Sequence, residues 1–226
     1  MKKRKSLGCA TGVLPAYVLQ LPERGGRAVL AAAIFDRRLC GVLTAAHCVN
    51  FGTNGEMVLG DYYLEKVQAG NTGLTLTPFA VEPVSDIALL GAPDEQVFPD
   101  EVEAFEEFCA NTQPVPLFTG FIKPRKPMPV RILGHDRRWI DGSVGLFYEH
   151  SSSLWIEGER EILGGNSGGP VLTLDGELVA IVSNASIPQG GSKATGCCPR
   201  PLFALPVWAC LKYFGAAITP RRIRRQ

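Results

Sequence analysis

The sequence predicts an all-β protein, built as barrels or as a sandwich. Short apolar runs recur along most of the chain, each bounded by turn residues. The 226 residues include 25 glycines and 17 prolines, more punctuation than a helical protein tolerates. One stretch, "TLDGELVAI", reads directly as a hairpin, with Asp175 and Gly176 supplying the turn.

Taken in order, "AVLAAAIF" (28–35), "GVLTAA" (41–46), "GEMVLG" (55–60), "TLTPFAV" (75–81) and "DIALLG" (86–91) are the first strands. A second set follows: "VPLFTGF" (115–121), "PVRILG" (129–134), "GLFYE" (145–149), "SLWIE" (153–157), "GPVLTL" (169–174) and "ELVAIVS" (177–183). Two helices interrupt the pattern. "PDEVEAFEEFCAN" (99–111) puts Val102, Phe105, Phe108 and Cys109 on one face and five acids elsewhere, as a surface helix does. "LPVWACLKYFG" (205–215) has Pro206 near its start and Gly215 as a stop, and its apolar surface should dock on the body. A chain of this length buries a substantial core.

The net charge is +1, so no global field favours nucleic acid, and none is expected as a partner. The basic ends, "MKKRK" and "RRIRRQ", read as solvated termini. No run approaches the ~18 apolar residues that cross a membrane, so no transmembrane segment is expected. The basic start imitates a signal peptide, but Gly8, Gly12 and Pro15 break the apolar part that follows. The seven cysteines are odd in number and lack metal-ligand spacing, which favours a reducing compartment and a cytoplasmic location. No metal and no cofactor is expected.

The chemistry turns on "EILGGNSGGPV" (161–171). Gly165-Asn166-Ser167-Gly168-Gly169 fits a nucleophile elbow, a chymotrypsin-like protease serine, or a tight turn whose serine is idle. An elbow needs its acid and then its histidine after the serine. The three histidines, at 47, 135 and 150, all precede Ser167, so the elbow fails. The chymotrypsin order is His, Asp, Ser. "VLTAAHCV" supplies His47, "VSDIALL" supplies Asp86 and "GGNSGGP" supplies Ser167 in that order.

On "LTAAHC" and "GNSGGP", over roughly residues 26 to 215, the chain resembles a trypsin-like serine peptidase of the chymotrypsin fold. "NSGGPVLTLDGELVAI" resembles the HtrA-type branch more than the digestive enzymes. The resemblance implies two six-stranded antiparallel β-barrels with a C-terminal helix and one inserted acidic helix. The chain then divides into a basic segment (1–24), a first barrel (25–112) carrying His47, Asp86 and the inserted helix, a second barrel with the C-terminal helix (113–215) carrying Ser167, and a basic tail (216–226). Ser167 would be the nucleophile, His47 its base and then the acid for the leaving amine, and Asp86 the group that orients the imidazole. The N–H groups of Gly165 and Ser167 would form the oxyanion hole. Ser183 falls where the family keeps a serine bonded to the triad aspartate, and Ser183, Asn184 and Ala185 would bind extended substrate by strand addition. The resemblance puts His135 on a return strand of the second barrel, in a surface or structural role, while His150 beside "SSS" reads as loop.

The chain also departs from the family. Secreted trypsin-like enzymes have an aspartate before the serine, which pairs with a new N-terminus. Asn166 stands there and cannot form that pair, and no activation sequence precedes it. The expectation is an enzyme active without proteolytic maturation. A Cys40–Cys48 bridge is left open, because the family's partner cysteine lies further upstream. Glu161, six residues before Ser167, falls at the base of the primary pocket on a trypsin-like count and would favour Lys or Arg. On a HtrA-like path it points to water, and Ala185 in place of the usual glycine narrows the pocket mouth towards small residues. The insert at 92–113 is a packing helix or a protein-partner surface. The function expected is a serine endopeptidase acting on protein or peptide through an acyl-enzyme. A protease-fold binding module with little turnover and a viral-type polyprotein-processing protease remain alternatives.

Overall fold

The computed structural model describes residues 14–21, 29–36, 39–49, 67–70, 72–82, 86–93, 98–113, 115–118, 120–123, 126–146, 153–163, 165–186 and 193–197. Two bodies divide the strands. The first contains β1 (Val18–Leu21), β2 (Val29–Asp36), β3 (Leu39–Ala45), β4 (Val67–Gln68), β5 (Thr75–Glu82) and β6 (Ile87–Gly91). These form a six-stranded sheet in the order β1-β2-β3-β6-β5-β4. The second contains β7 (Met128–Leu133), β8 (Trp139–Leu146), β9 (Ser153–Gly158), β10 (Pro170–Thr173), β11 (Leu178–Ser186) and β12 (Lys193–Cys197). These close into an antiparallel barrel, β10-β11-β12-β9-β8-β7, with β7 pairing back onto β10. After β6 in the chain comes α1 (Pro99–Asn111), which packs on the first body.

Of the two barrels expected, one is closed among the described residues. The first sheet stays open there because β4 is two residues long, too short to ladder against β1. A single main-chain bond, from the Gly70 N–H to the Gln20 carbonyl at 2.8 Å, joins its edges. The predicted strands at 55–60 and the predicted helix at 205–215 lie outside the described residues. The predicted strand at 115–121 is not one. Leu117 makes an isolated bridge to Leu178, with Phe118 N–H and Leu178 N–H bonded across it. Pro116 has no N–H to carry a longer ladder.

Each body has its own core. Leu19, Val42, Leu76, Leu90 and Phe105 pack in the first. Ile132, Val144, Ile156, Val171 and Val182 pack in the second. β6 is buried along its whole length, which is why "IALLG" reads as one apolar run and not as an alternation. α1 buries Phe105 in the first core and lays Phe108 and Cys109 against it. Its apolar face is thus occupied by the chain itself, and most of its acids face outwards. No helix among the described residues is long and apolar enough to cross a membrane.

The hairpin between β10 and β11 turns where the sequence places it. Thr173 and Glu177 bond across the turn at 2.8 Å, and Gly176 takes φ +88°, a value that costs glycine nothing. Asp175 and Glu177 each donate an N–H to the Thr173 hydroxyl, at 3.2 and 3.1 Å. Cys48 is free and buried, so it makes no bridge with Cys40. Cys109 is disulfide-bonded, to a cysteine outside the described side chains.

The barrel wall sets a testable packing limit. A Cβ on Gly142 of β8 would meet the Glu157 carbonyl oxygen of β9 at 2.3 Å, and main chain cannot move aside without breaking the ladder. A Cβ on Gly145, three residues on, meets nothing within 4 Å. Gly142→Ala is expected to destabilise by about 1–3 kcal/mol, as overpacking does. Gly145→Ala should be near neutral. Thermal unfolding of the two variants checks this, and equal midpoints would contradict it.

Candidate active site

The strand β3 ends at Ala45 and the chain tightens into a 3₁₀ turn, Ala46–Val49, which carries His47. Asp86 sits one residue before β6, beside that turn because β3 and β6 are paired neighbours. Asp86 adopts φ 55°, a left-handed conformation that aspartate tolerates better than most residues. Three bonds lock the two segments together. The Ala46 N–H donates to the Asp86 carbonyl at 3.1 Å. The His47 N–H donates to Asp86 Oδ1 at 2.9 Å, and His47 Nδ1 lies 2.8 Å from Asp86 Oδ2. The carboxylate therefore fixes the ring, puts the proton on Nδ1 and leaves Nε2 as the basic nitrogen.

A third group reaches Asp86 from the barrel. β11 pairs with β12 in a register that slips between Val182 and Asn184, so Ser183 is the bulged residue. A bulge re-aims side chains. Here it leaves the Ser183 hydroxyl donating to Asp86 Oδ2 at 2.5 Å. Asp86 and Ser183 are both buried, while His47 stays half-buried. Burial alone would raise the Asp86 pKa, but the bonds from His47 and Ser183 outweigh it and hold the carboxyl below its ordinary 3.8. Hydrogen bonding to Asp86, then to Cys48, raises His47 above its ordinary 6.5. Both shifts stabilise the fold, and both contributions are fully present between 3.8 and 6.5. Asp86's share is present above 3.8 and lost as pH falls through its lowered value. His47's share is present below 6.5 and lost as pH rises through its raised value.

Ser167 stands on the loop before β10. Its hydroxyl donates to the Ser183 carbonyl at 3.2 Å, and among the described residues it makes no bond to His47. The loop's N–H groups divide cleanly. Asn166 donates to Leu163, Gly168 to Val182 and Gly169 to Asn166. The Gly165 and Ser167 N–H groups have no acceptor among the described residues. These two amides are therefore left as donors without an acceptor among the described residues. Positive φ at Gly165 (95°) and Gly168 (77°) shapes the loop and suits glycine at both places.

The remaining predicted residues fall as follows. Asn184 is exposed on β11, where Asn184 and Ala185 pair with β12. Glu161 is exposed and lines a cavity of about 300 Å³ with His135, Asp136, Arg160 and Asn166; Ser167, Ser183 and Asn184 are not in that lining. His135 is not on a strand. It lies in the turn from β7 to β8, closed by bonds between Gly134 and Arg138 and between Arg137 and Gly134. Its N–H and its Nδ1 both meet Asn166 Oδ1, at 2.7 and 3.0 Å. No local pattern signals that pairing, which joins residues 31 apart.

Residues 31–181 match the trypsin-like peptidase domain family, two thirds of the chain. The chain belongs to that family. This trypsin-like peptidase is a serine protease, and its substrates are proteins or peptides. Among curated proteins none matches its sequence. Of solved structures, the Rv3671c protease in an inactive form is similar at 17% identity and TM-score 0.53, covering 88% of this chain and 89% of that one. A serine-to-alanine mutant of Rv3671c from M. tuberculosis, also inactive, gives 16% identity and TM-score 0.52, covering 91% and 89%. At these identities the likeness concerns the chymotrypsin-like fold.

Proposed function

We propose that this trypsin-like peptidase cleaves peptide bonds through an acyl-enzyme, with Ser167 as nucleophile, His47 as base and Asp86 as the orienting acid. The observation that carries this is the Asp86 carboxylate, which binds His47 Nδ1 from one side and the Ser183 hydroxyl from the other. Ser167 is held one bond away, on the Ser183 carbonyl. The proton transfer needs this hydroxyl to leave the Ser183 carbonyl for His47, and catalytic hydrogen bonds commonly tighten only when substrate binds. The free N–H groups of Gly165 and Ser167 would then receive the developing oxyanion, a term worth about 3 kcal/mol per donor. Asn184 and Ala185 pair with β12, whereas β10 meets β11 only as far as Ile181. That leaves the other edge of this segment for an extended substrate. Because Glu161 borders the His135 cavity, a preference for basic residues set by Glu161 is not part of the reading.

The test is covalent labelling with a fluorophosphonate, which reacts fast only with an activated serine. Labelling confined to Ser167 supports the reading, and a protein inert to the probe overturns it.

The same geometry supports activity without proteolytic maturation. Asn166 is 1% exposed and neutral, and its carbonyl oxygen is already satisfied by His135 within the chain. No charge there waits for a new N-terminal ammonium. The chain carrying a non-cleavable N-terminal fusion is expected to label at Ser167 at the rate of the untagged chain. Labelling that begins only after the fusion is removed would count against this.

A further inference from the structure

We propose that His135 is a positioning residue for the oxyanion loop, holding Gly165 and Ser167 in place through the Asn166 carboxamide. This rests on the assignment of Ser167 as nucleophile. The Asn166 oxygen is bound by two donors of one residue, the His135 N–H at 2.7 Å and Nδ1 at 3.0 Å. Because a main-chain N–H only donates, the atom it meets is the oxygen, and Nδ1 must then carry a proton. A neutral Nδ1–H imidazole and an imidazolium both satisfy the contact.

The loop needs such a tether. Gly165 and Gly168 on either side of it, at φ 95° and 77°, give the backbone freedom that packing must remove. Among the described residues the Gly165 and Ser167 N–H groups find no acceptor, so no bond on those two groups resists their turning. Asn166, between them, is 1% exposed, and its side chain reaches out of the loop to the β7–β8 turn. His135 itself is exposed and borders the cavity that Asp136, Arg160 and Glu161 also line. Arg160 is engaged with Asp136, at 2.8 Å, so neither competes for Asn166. The ring is thus held by its bond to Asn166 more than by packing around it.

An interaction that only orients the oxyanion donors acts in the transition state and not in substrate binding, so its loss lowers kcat and leaves KM. Two variants separate hydrogen bonding from ring packing. His135→Phe keeps a ring and the main-chain N–H donor but loses the Nδ1 donor. His135→Asn keeps a donor at the position of Nδ1 without the ring. With p-nitrophenyl acetate, His135→Phe is expected to lose about tenfold in kcat with KM within about twofold, a part of what deleting an oxyanion donor costs. His135→Asn is expected to stay within about twofold of wild type in both constants. Wild-type kcat in His135→Phe, a KM rise in place of a kcat fall, or His135→Asn as slow as His135→Phe would each overturn the proposal. A wild-type protein that does not acylate at Ser167 would remove the catalytic reading itself. An active wild type indifferent to His135→Phe removes only the tether.

Discussion

Ser167→Ala is expected to lower peptide hydrolysis by about 10⁴-fold or more, and to abolish covalent labelling, while the protein stays folded. The size follows from the role. A serine hydroxyl is a weak nucleophile until a base takes its proton, so His47 and Asp86 have nothing to activate once Oγ is gone. What remains is water attack helped by the oxyanion N–H groups and substrate binding, which is a small residue of the whole. The fold should hardly notice. Ser167 is half-buried on a loop, and its hydroxyl makes one bond, to the Ser183 carbonyl at 3.2 Å. Losing a single neutral bond of that kind costs about 1 kcal/mol. Activity and the thermal midpoint should be measured on the same preparation. A folded Ser167→Ala protein with ordinary peptidase activity would end the assignment.

Much of this site was legible in the sequence because order along the chain is itself chemical information. All three histidines precede Ser167, which excludes an elbow and admits the chymotrypsin order. The helix at 99–111 was legible to the residue, since Pro99 starts it and its apolar positions keep helical spacing. Other elements were not. β8 was placed at 145–149 and begins at Trp139, because the polar Asp141, Gly142 and Ser143 interrupt any apolar run and nothing local reveals that β7 and β9 flank them. β12, "KATGC", has no apolar alternation, and its Gly196 is there because a Cβ would meet Ile156 at 2.4 Å. β1 was missed for its brevity.

The two arrangements that matter most around Ser167 depend on contacts between distant segments. The Ser183 bulge exists only in the pairing of β11 with β12, and no periodicity announces it. The resemblance pointed to Ser183 as a neighbour of Asp86, but it carried no hint that the carbonyl of the same residue would receive Ser167. His135 was read as structural because its partner lies across the barrel loop. Asn166 was read by the charge it lacks, and not by the oxygen it offers.

Asp86→Asn carries the second large effect, and it separates positioning from charge. The carboxylate now accepts from the His47 N–H, from His47 Nδ1 and from the Ser183 hydroxyl. A carboxamide keeps one oxygen and replaces the other by an NH₂, which only donates, so with the oxygen on the His47 N–H neither Nδ1 nor Ser183 finds an acceptor. His47 then favours the tautomer with its proton on Nε2, where no lone pair faces the serine. Loss of about 10⁴ in kcat is expected on the pattern of such substitutions. The pH dependence gives a second, independent readout. His47 must be neutral to act as base, so kcat/KM rises with pH through the His47 pKa of the free enzyme. Asp86 holds that pKa above 6.5. Removing the charge removes the upward pull, and the rising limb of the residual activity should move to lower pH than in the wild type. A limb that stays where it was, or moves to higher pH, would mean that Asp86 does not face the base that limits the rate.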